Sequence, residues 1–122
     1  MSKVIFDSSF LMAVAERPTT WFEDIVNSVG KFEPVLLDCV RVELEKISRG
    51  DGKRSRSARV ALDMASKFSR APCGSTRVDD EVISAALSSK AIVATTDAGL
   101  RKALRDSHVR VVLLRGGRVD VG

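Results

Sequence analysis

Four short apolar runs punctuate this chain: KVIFD at 3–7, PVLLD at 34–38, AIVATT at 91–96 and VRVVLL at 109–114. Each is too short for a core helix and is dominated by Val, Ile, Leu and Ala. That is the pattern of strands covered on both faces. The stretches between them carry helical spacing. Phe10, Leu11, Val14 and Ala15 share a face after a Ser8 or Ser9 cap, and Arg17-Pro18 ends that helix. Trp21, Phe22, Ile25, Val26 and Val29 form an apolar stripe between Thr20 and Gly30, with the aromatics read as core. Further helices are expected over 39–48 with Asp38 as cap, over 55–69, over 80–89 and over AGLRKALRD. Val60, Leu62, Met64, Ala65 and Phe68 are expected on the buried side of 55–69. Val82, Ile83, Ala86 and Leu87 are the apolar side of 80–89. RAPCGSTR leaves room for a short edge strand, and RVDV after Gly116-Gly117 for a last one. Parallel strands need crossover connections, and here helices supply them. The expectation is therefore a three-layer α/β/α fold around a central, mainly parallel twisted sheet. With 122 residues and no repeat or linker, residues 1–122 form a single domain.

Acidic side chains fall where strands hand over to helices, or within the first turns of those helices. Asp7 ends the first run, and Asp97 repeats that placement after Thr95-Thr96. Glu43 lies too deep in its helix to be a cap, with Glu45 a close competitor. Asp79 and Asp80 are adjacent, so one points into a shared crevice and the other caps the helix or acts through water. Asp7 and Asp97 also suit plain N-caps. Open α/β sheets place their sites outside the carboxyl ends of the strands. Carboxylates gathered there would repel one another by roughly 4 kcal/mol for a pair about 4 Å apart at an effective dielectric near 20. They must take up protons or hold hard, oxygen-seeking cations.

Other chemistries lack their parts. GDGKRS is too short for a phosphate-binding P-loop, and no G-x-S-x-G elbow occurs. His108 is the sole histidine and lies at a strand start, so histidine-dependent hydrolysis is disfavoured. A receiver-like phospho-acceptor would want a Lys closing a late strand, where Leu114-Arg115 stands instead. Two cysteines, Cys39 and Cys73, cannot build a zinc site with one histidine, and are expected as small reduced side chains. The apolar N-terminal stretch stops at Asp7, which reads as a strand and not a signal peptide, and no run is long enough to span a membrane. A cytoplasmic location is expected.

Charge is unevenly spread. Residues 46–77 carry nine Lys or Arg against Asp51 and Asp63, a net +7, within a chain whose total is +4. Lys46, Arg49, Lys53, Arg54, Arg56 and Arg59 are the candidates for holding a polyanion backbone, though a solvated face would look the same.

Together VIFDSSFLMAV, VRVELEKI, VDDEVISAAL and IVATTDAGLRKAL, in that order over nearly the whole chain, resemble the PIN-domain nucleases. The ELEKI segment, the basic GDGKRSRSAR loop and the Ala-rich helix after it resemble small archaeal members near the rRNA-processing branch; VapC-type toxins share the acidic skeleton. The resemblance implies cleavage of single-stranded RNA with Mg²⁺ or Mn²⁺. It implies Asp7, Glu43, Asp80 and Asp97 as catalytic metal ligands, Asp79 as an assistant, and Ser8 and Thr95 as supporting hydroxyls. Asn is frequent in the family where Ser9 stands, a departure that bears on hydrogen bonding around Asp7. Implied partners are RNA, a second copy of the chain, and either an antitoxin or ribosome-assembly factors. The alternatives are a VapC-type toxin ribonuclease and a non-catalytic RNA-binding module in ribosome assembly. With no Tyr and 5% aromatic residues, backbone and shape reading are expected over stacking.

Overall fold

The computed structural model describes residues 1–17 and 19–122; Pro18, expected to end the first helix, lies outside them. Six strands form one sheet: β1 (Ser2–Phe6), β2 (Phe32–Leu37), β3 (Ser69–Ala71), β4 (Ile92–Ala94), β5 (Val111–Arg115) and β6 (Arg118–Val121). Their spatial order is β3-β2-β1-β4-β5-β6. All pairs are parallel except β5 with β6, which are joined by Gly116-Gly117. Both glycines have positive φ, 54° and 82°, which a two-residue hairpin of native twist requires and side-chain-bearing residues resist.

Six helices connect the strands: α1 (Ser8–Glu16), α2 (Trp21–Val29), α3 (Asp38–Ser48), α4 (Lys53–Met64), α5 (Val78–Ser89) and α6 (Ala98–Asp106). The chain steps outward from β1 to β2 to β3 through α1 to α4, then crosses back through α5 to β4 on the far side of β1. Right-handed crossovers put the outward and returning helices on opposite faces. Packing agrees: α1, α3 and α4 touch one another, while α5 touches α6, β1 and β4. On the first face Phe6 is fully buried, with ring centroids 5.2–6.4 Å from those of Phe10, Trp21, Phe32 and Phe68. Ile5 points the other way, with Val35, Leu37 and Ala85. Burying aliphatic or aromatic side chains of this kind contributes about 1.5–3 kcal/mol each.

The structure differs from the sequence expectations at several points. Val60 is 47% exposed and Leu87 53%, and Phe22 lies partly outside the core. The buried side of α4 is made of Ser55, Ser57, Ala58 and Ala61 instead, small residues that let α4 lie close against α1 and α3. Helix α3 starts at Asp38 and α5 at Val78, so Asp38, Asp79 and Asp80 sit inside first turns and not at caps. There they complement the helix dipole. Finally, Cys39 and Cys73 are joined as a disulfide, with Cα atoms 5.9 Å apart. They are 34 residues apart in sequence, and only the return of the chain after β3 brings them together.

Candidate active site

The direction of winding reverses between β1 and β4, and the crevice at such a reversal opens at the strands' carboxyl ends. Asp7 N–H donates to Ala94 O across this junction at 2.9 Å. The register Phe6↔Ala94 places Asp7 beside Thr95.

Asp7 is 5% exposed, and its carboxylate does not cap α1. Its Oδ2 accepts from Ser9 Oγ at 2.7 Å and Thr95 Oγ1 at 2.9 Å. The hydroxyls accept in turn: Thr96 N–H donates to Ser9 Oγ, and Asp97 N–H to Thr95 Oγ1, both at 3.1 Å. Ser9 thus supplies hydrogen bonding where the family often has Asn. The resemblance did not mark it as a supporting residue; the signal was a hydroxyl two residues past a strand-end Asp. Ser8, which it did mark, turns elsewhere and donates to Glu43 Oε1. This bond ties α1 to α3 at the rim and separates Glu43 from its competitor, since Glu45 pairs with Arg41 at 2.5 Å.

Asp97 serves as the cap of α6, with Oδ1 accepting from Leu100 N–H at 2.8 Å. Of the adjacent pair, Asp79 is the one that responds to the cluster. Burial raises its pKa above the ordinary carboxylate value, and the charges of Asp7, Asp97, Glu43 and Asp80 raise it further. Asp80 Oδ2 pairs with Arg77 Nε at 3.1 Å at the surface. The folded state therefore binds a proton at Asp79 more tightly than the unfolded chain does. Metal-free protein should lose this contribution as pH rises from the ordinary value through the raised one.

Among the described residues, no three acidic, His or Cys side chains stand close enough together to chelate an ion as they lie. The carboxylates here are nonetheless hard oxygen donors, and four of the five are engaged by a neighbour: Asp7 by Ser9 and Thr95, Glu43 by Ser8, Asp80 by Arg77 and Asp97 by Leu100 N–H. Mg²⁺ keeps several waters and needs only one or two direct carboxylates. The donor set fits such an ion: Asp7 and Asp97 would hold it, and Glu43 and Asp79 would act on its waters. A group of like charges also attracts cations by its field alone.

Thr95 joins the two strand-end aspartates and is 1% exposed. Thr95→Val keeps the shape but strips a donor from Asp7 and an acceptor from Asp97 N–H. Denaturant unfolding should show a loss of about 1–3 kcal/mol.

The basic candidates separate by geometry. Arg59 Nη1 donates to Ser48 O at 2.7 Å and Gly50 O at 3.4 Å, closing the carboxyl end of α3. Lys53 Nζ is 3.2 Å from Glu16 in an exposed pair. Arg49, Arg54 and Arg56 are exposed, and so is Lys46, which lines a hollow together with Glu43.

Comparison with known proteins follows this geometry. Residues 4–117 match the family model described as PIN like domain. No curated protein matches the chain significantly. The structure of the PIN domain endonuclease Utp24 is similar, with a TM-score of 0.79 and 28% identity over 98% of this chain and 90% of that one. The crystal structure of PAE2754 from Pyrobaculum aerophilum shares the fold, with a TM-score of 0.53 and 20% identity over 81% and 77% of the two chains. No helix here is long and apolar enough to cross a membrane among the described residues. The matched region takes in both strand-end aspartates, Glu43 and the Asp79-Asp80 pair, and on that match the chain belongs to the PIN like domain family.

Proposed function

We propose that this chain is a divalent-metal-dependent endoribonuclease that cleaves single-stranded RNA, in the processing of ribosomal RNA. One observation carries the reading: Asp79 lies near enough to buried Asp7 and to Asp97, Glu43 and Asp80, at the carboxyl side of the sheet's switch point, for their charges to act on it. The likeness to the endonuclease Utp24 across nearly the whole chain supports it. A divalent ion bound there would polarise the scissile phosphate and lower the pKa of a water. Asp7, locked through Oδ2 by Ser9 and Thr95, keeps Oδ1 free of that network as a ligand. Asp97, fixed by Leu100 N–H, presents Oδ2 in the same way. Glu43 and Asp79 orient water across the mouth. Lys46, Arg49, Arg54 and Arg56 attract the RNA backbone without reading sequence.

The test is cleavage of a labelled single-stranded RNA with Mg²⁺ or Mn²⁺. Internal cuts that stop with EDTA are expected. RNA binding that survives EDTA with no turnover would overturn the enzymatic reading in favour of a binding module. Within the acidic pair, Asp79→Asn should lower the rate at least about tenfold more than Asp80→Asn, about 1.4 kcal/mol, since Asp79 orients water at the mouth while Asp80 pairs with Arg77 at the surface. Equal losses would mean that Asp80 swings away from Arg77 to share the work.

A further inference from the structure

A second hollow adjoins the acidic mouth. The first, on the Glu43 and Asp79 side of that mouth, is a hollow of about 510 Å³ bounded by Glu43, Thr76, Arg77, Val78, Asp79 and Asp80. The second, of about 460 Å³, shares Glu43, Thr76 and Val78 with it but continues between Val42 and Pro72 over the Cys39–Cys73 disulfide. We infer that this second hollow is a nucleobase pocket, which takes the base of a nucleotide next to the phosphate held at the acidic mouth. The inference rests on the ribonuclease reading.

Three observations support that occupant. First, the wall is apolar where a solvated helix would be polar: Val42 is 41% exposed, between Arg41 and Glu43 on α3. Second, single-strand binders usually hold bases on aromatic faces. Here the one Trp and all five Phe meet in a single cluster around Phe6 and Phe32 on the α1–α4 face. An aliphatic slot is what remains for a base beside the site. Third, the polar groups at its edge match a nucleotide. Lys46 lines the hollow and brings a cation for a neighbouring phosphate, and Asp38, Ser75 and Thr76 offer acceptors and hydroxyls to a base edge. The volume falls within the range of small-ligand sites. The disulfide joins α3 to the segment after β3, so the two walls are held in place before RNA arrives.

The test uses the whole chain in metal-free buffer, where no ion activates a water to cut the ligand: a mixed-sequence RNA 8-mer, compared with the same backbone made abasic at its central positions. Methyl-detected NMR reads Val42 and Val78. The intact 8-mer should shift both, and the abasic one should leave them in place. Val42→Asn, at an exposed position and without a change of charge, should weaken the intact 8-mer about tenfold, the lower end of what one held base contributes, and leave abasic affinity unchanged. Equal shifts or equal affinities for the two ligands would overturn the pocket. The readout needs no turnover. Shifts without cleavage by the wild type would leave the pocket standing and remove the ribonuclease, and cleavage without shifts would do the reverse.

Discussion

Asp7→Asn protein is expected to fold as the wild type does and to cut single-stranded RNA at least about a thousandfold more slowly, the loss of roughly 4 kcal/mol of metal-dependent stabilisation. The substitution preserves shape, and the Ser9 and Thr95 hydroxyls can turn to meet an amide in place of Oδ2. What it removes is a buried negative charge at the switch point. Circular dichroism and thermal unfolding should therefore show a native fold. Relief of repulsion should leave metal-free stability equal to or above that of the wild type, a common trade at sites built from like charges. Single-turnover cleavage with saturating Mn²⁺ measures the loss. A variant that cuts within a few-fold of the wild type would mean that Asp7 is a structural aspartate only.

The second large effect concerns the disulfide. Reducing Cys39–Cys73, or replacing both residues with Ser, should lower stability by about 3–4 kcal/mol, the chain-entropy value for a loop of this length, and Tm by roughly 10–15 °C. The bridge closes a 34-residue separation that includes α4 and β3. Its loss should fall first on edge strand β3, the short segment at the border of the sheet. Thermal unfolding with and without reductant, alongside thiol alkylation of the native protein, reads both bond and effect. Two freely alkylated thiols in native protein, or an unchanged Tm on reduction, would contradict it.

Much of this fold was legible because its strands are short Val- and Ile-rich runs with acids at their ends. The runs at 3–7, 34–38 and 91–96 announce β1, β2 and β4, and the residues after them announce the mouth of the sheet. Asp7 and Asp97 were legible for the same reason, since a strand-end position is a local property. The different surroundings of Asp79 and Asp80 were not, because they depend on Arg77 pairing with Asp80 at the surface. The different partners of Glu43 and Glu45, Ser8 for the one and Arg41 for the other, were equally hidden in the sequence. The cysteine pairing was hidden by its length. Thirty-four residues carry no periodicity that brings Cys39 to Cys73, and an expected cytoplasmic location, where disulfides are rare, pointed the other way. Helix α4 misled through Val60, because its real packing face is a row of Ser and Ala that hydrophobicity alone undervalues.

The central claim is that distant acidic residues form one cation-binding mouth, and calorimetric titration of Mn²⁺ into metal-free protein addresses it directly. Wild-type protein should bind Mn²⁺ saturably and gain thermal stability in proportion to ligand excess, about 2.7 kcal/mol at a hundredfold excess over Kd. The Asp7→Asn, Asp97→Asn double variant should bind at least about tenfold more weakly, since both proposed direct ligands are gone. Identical isotherms for the two proteins would contradict the account.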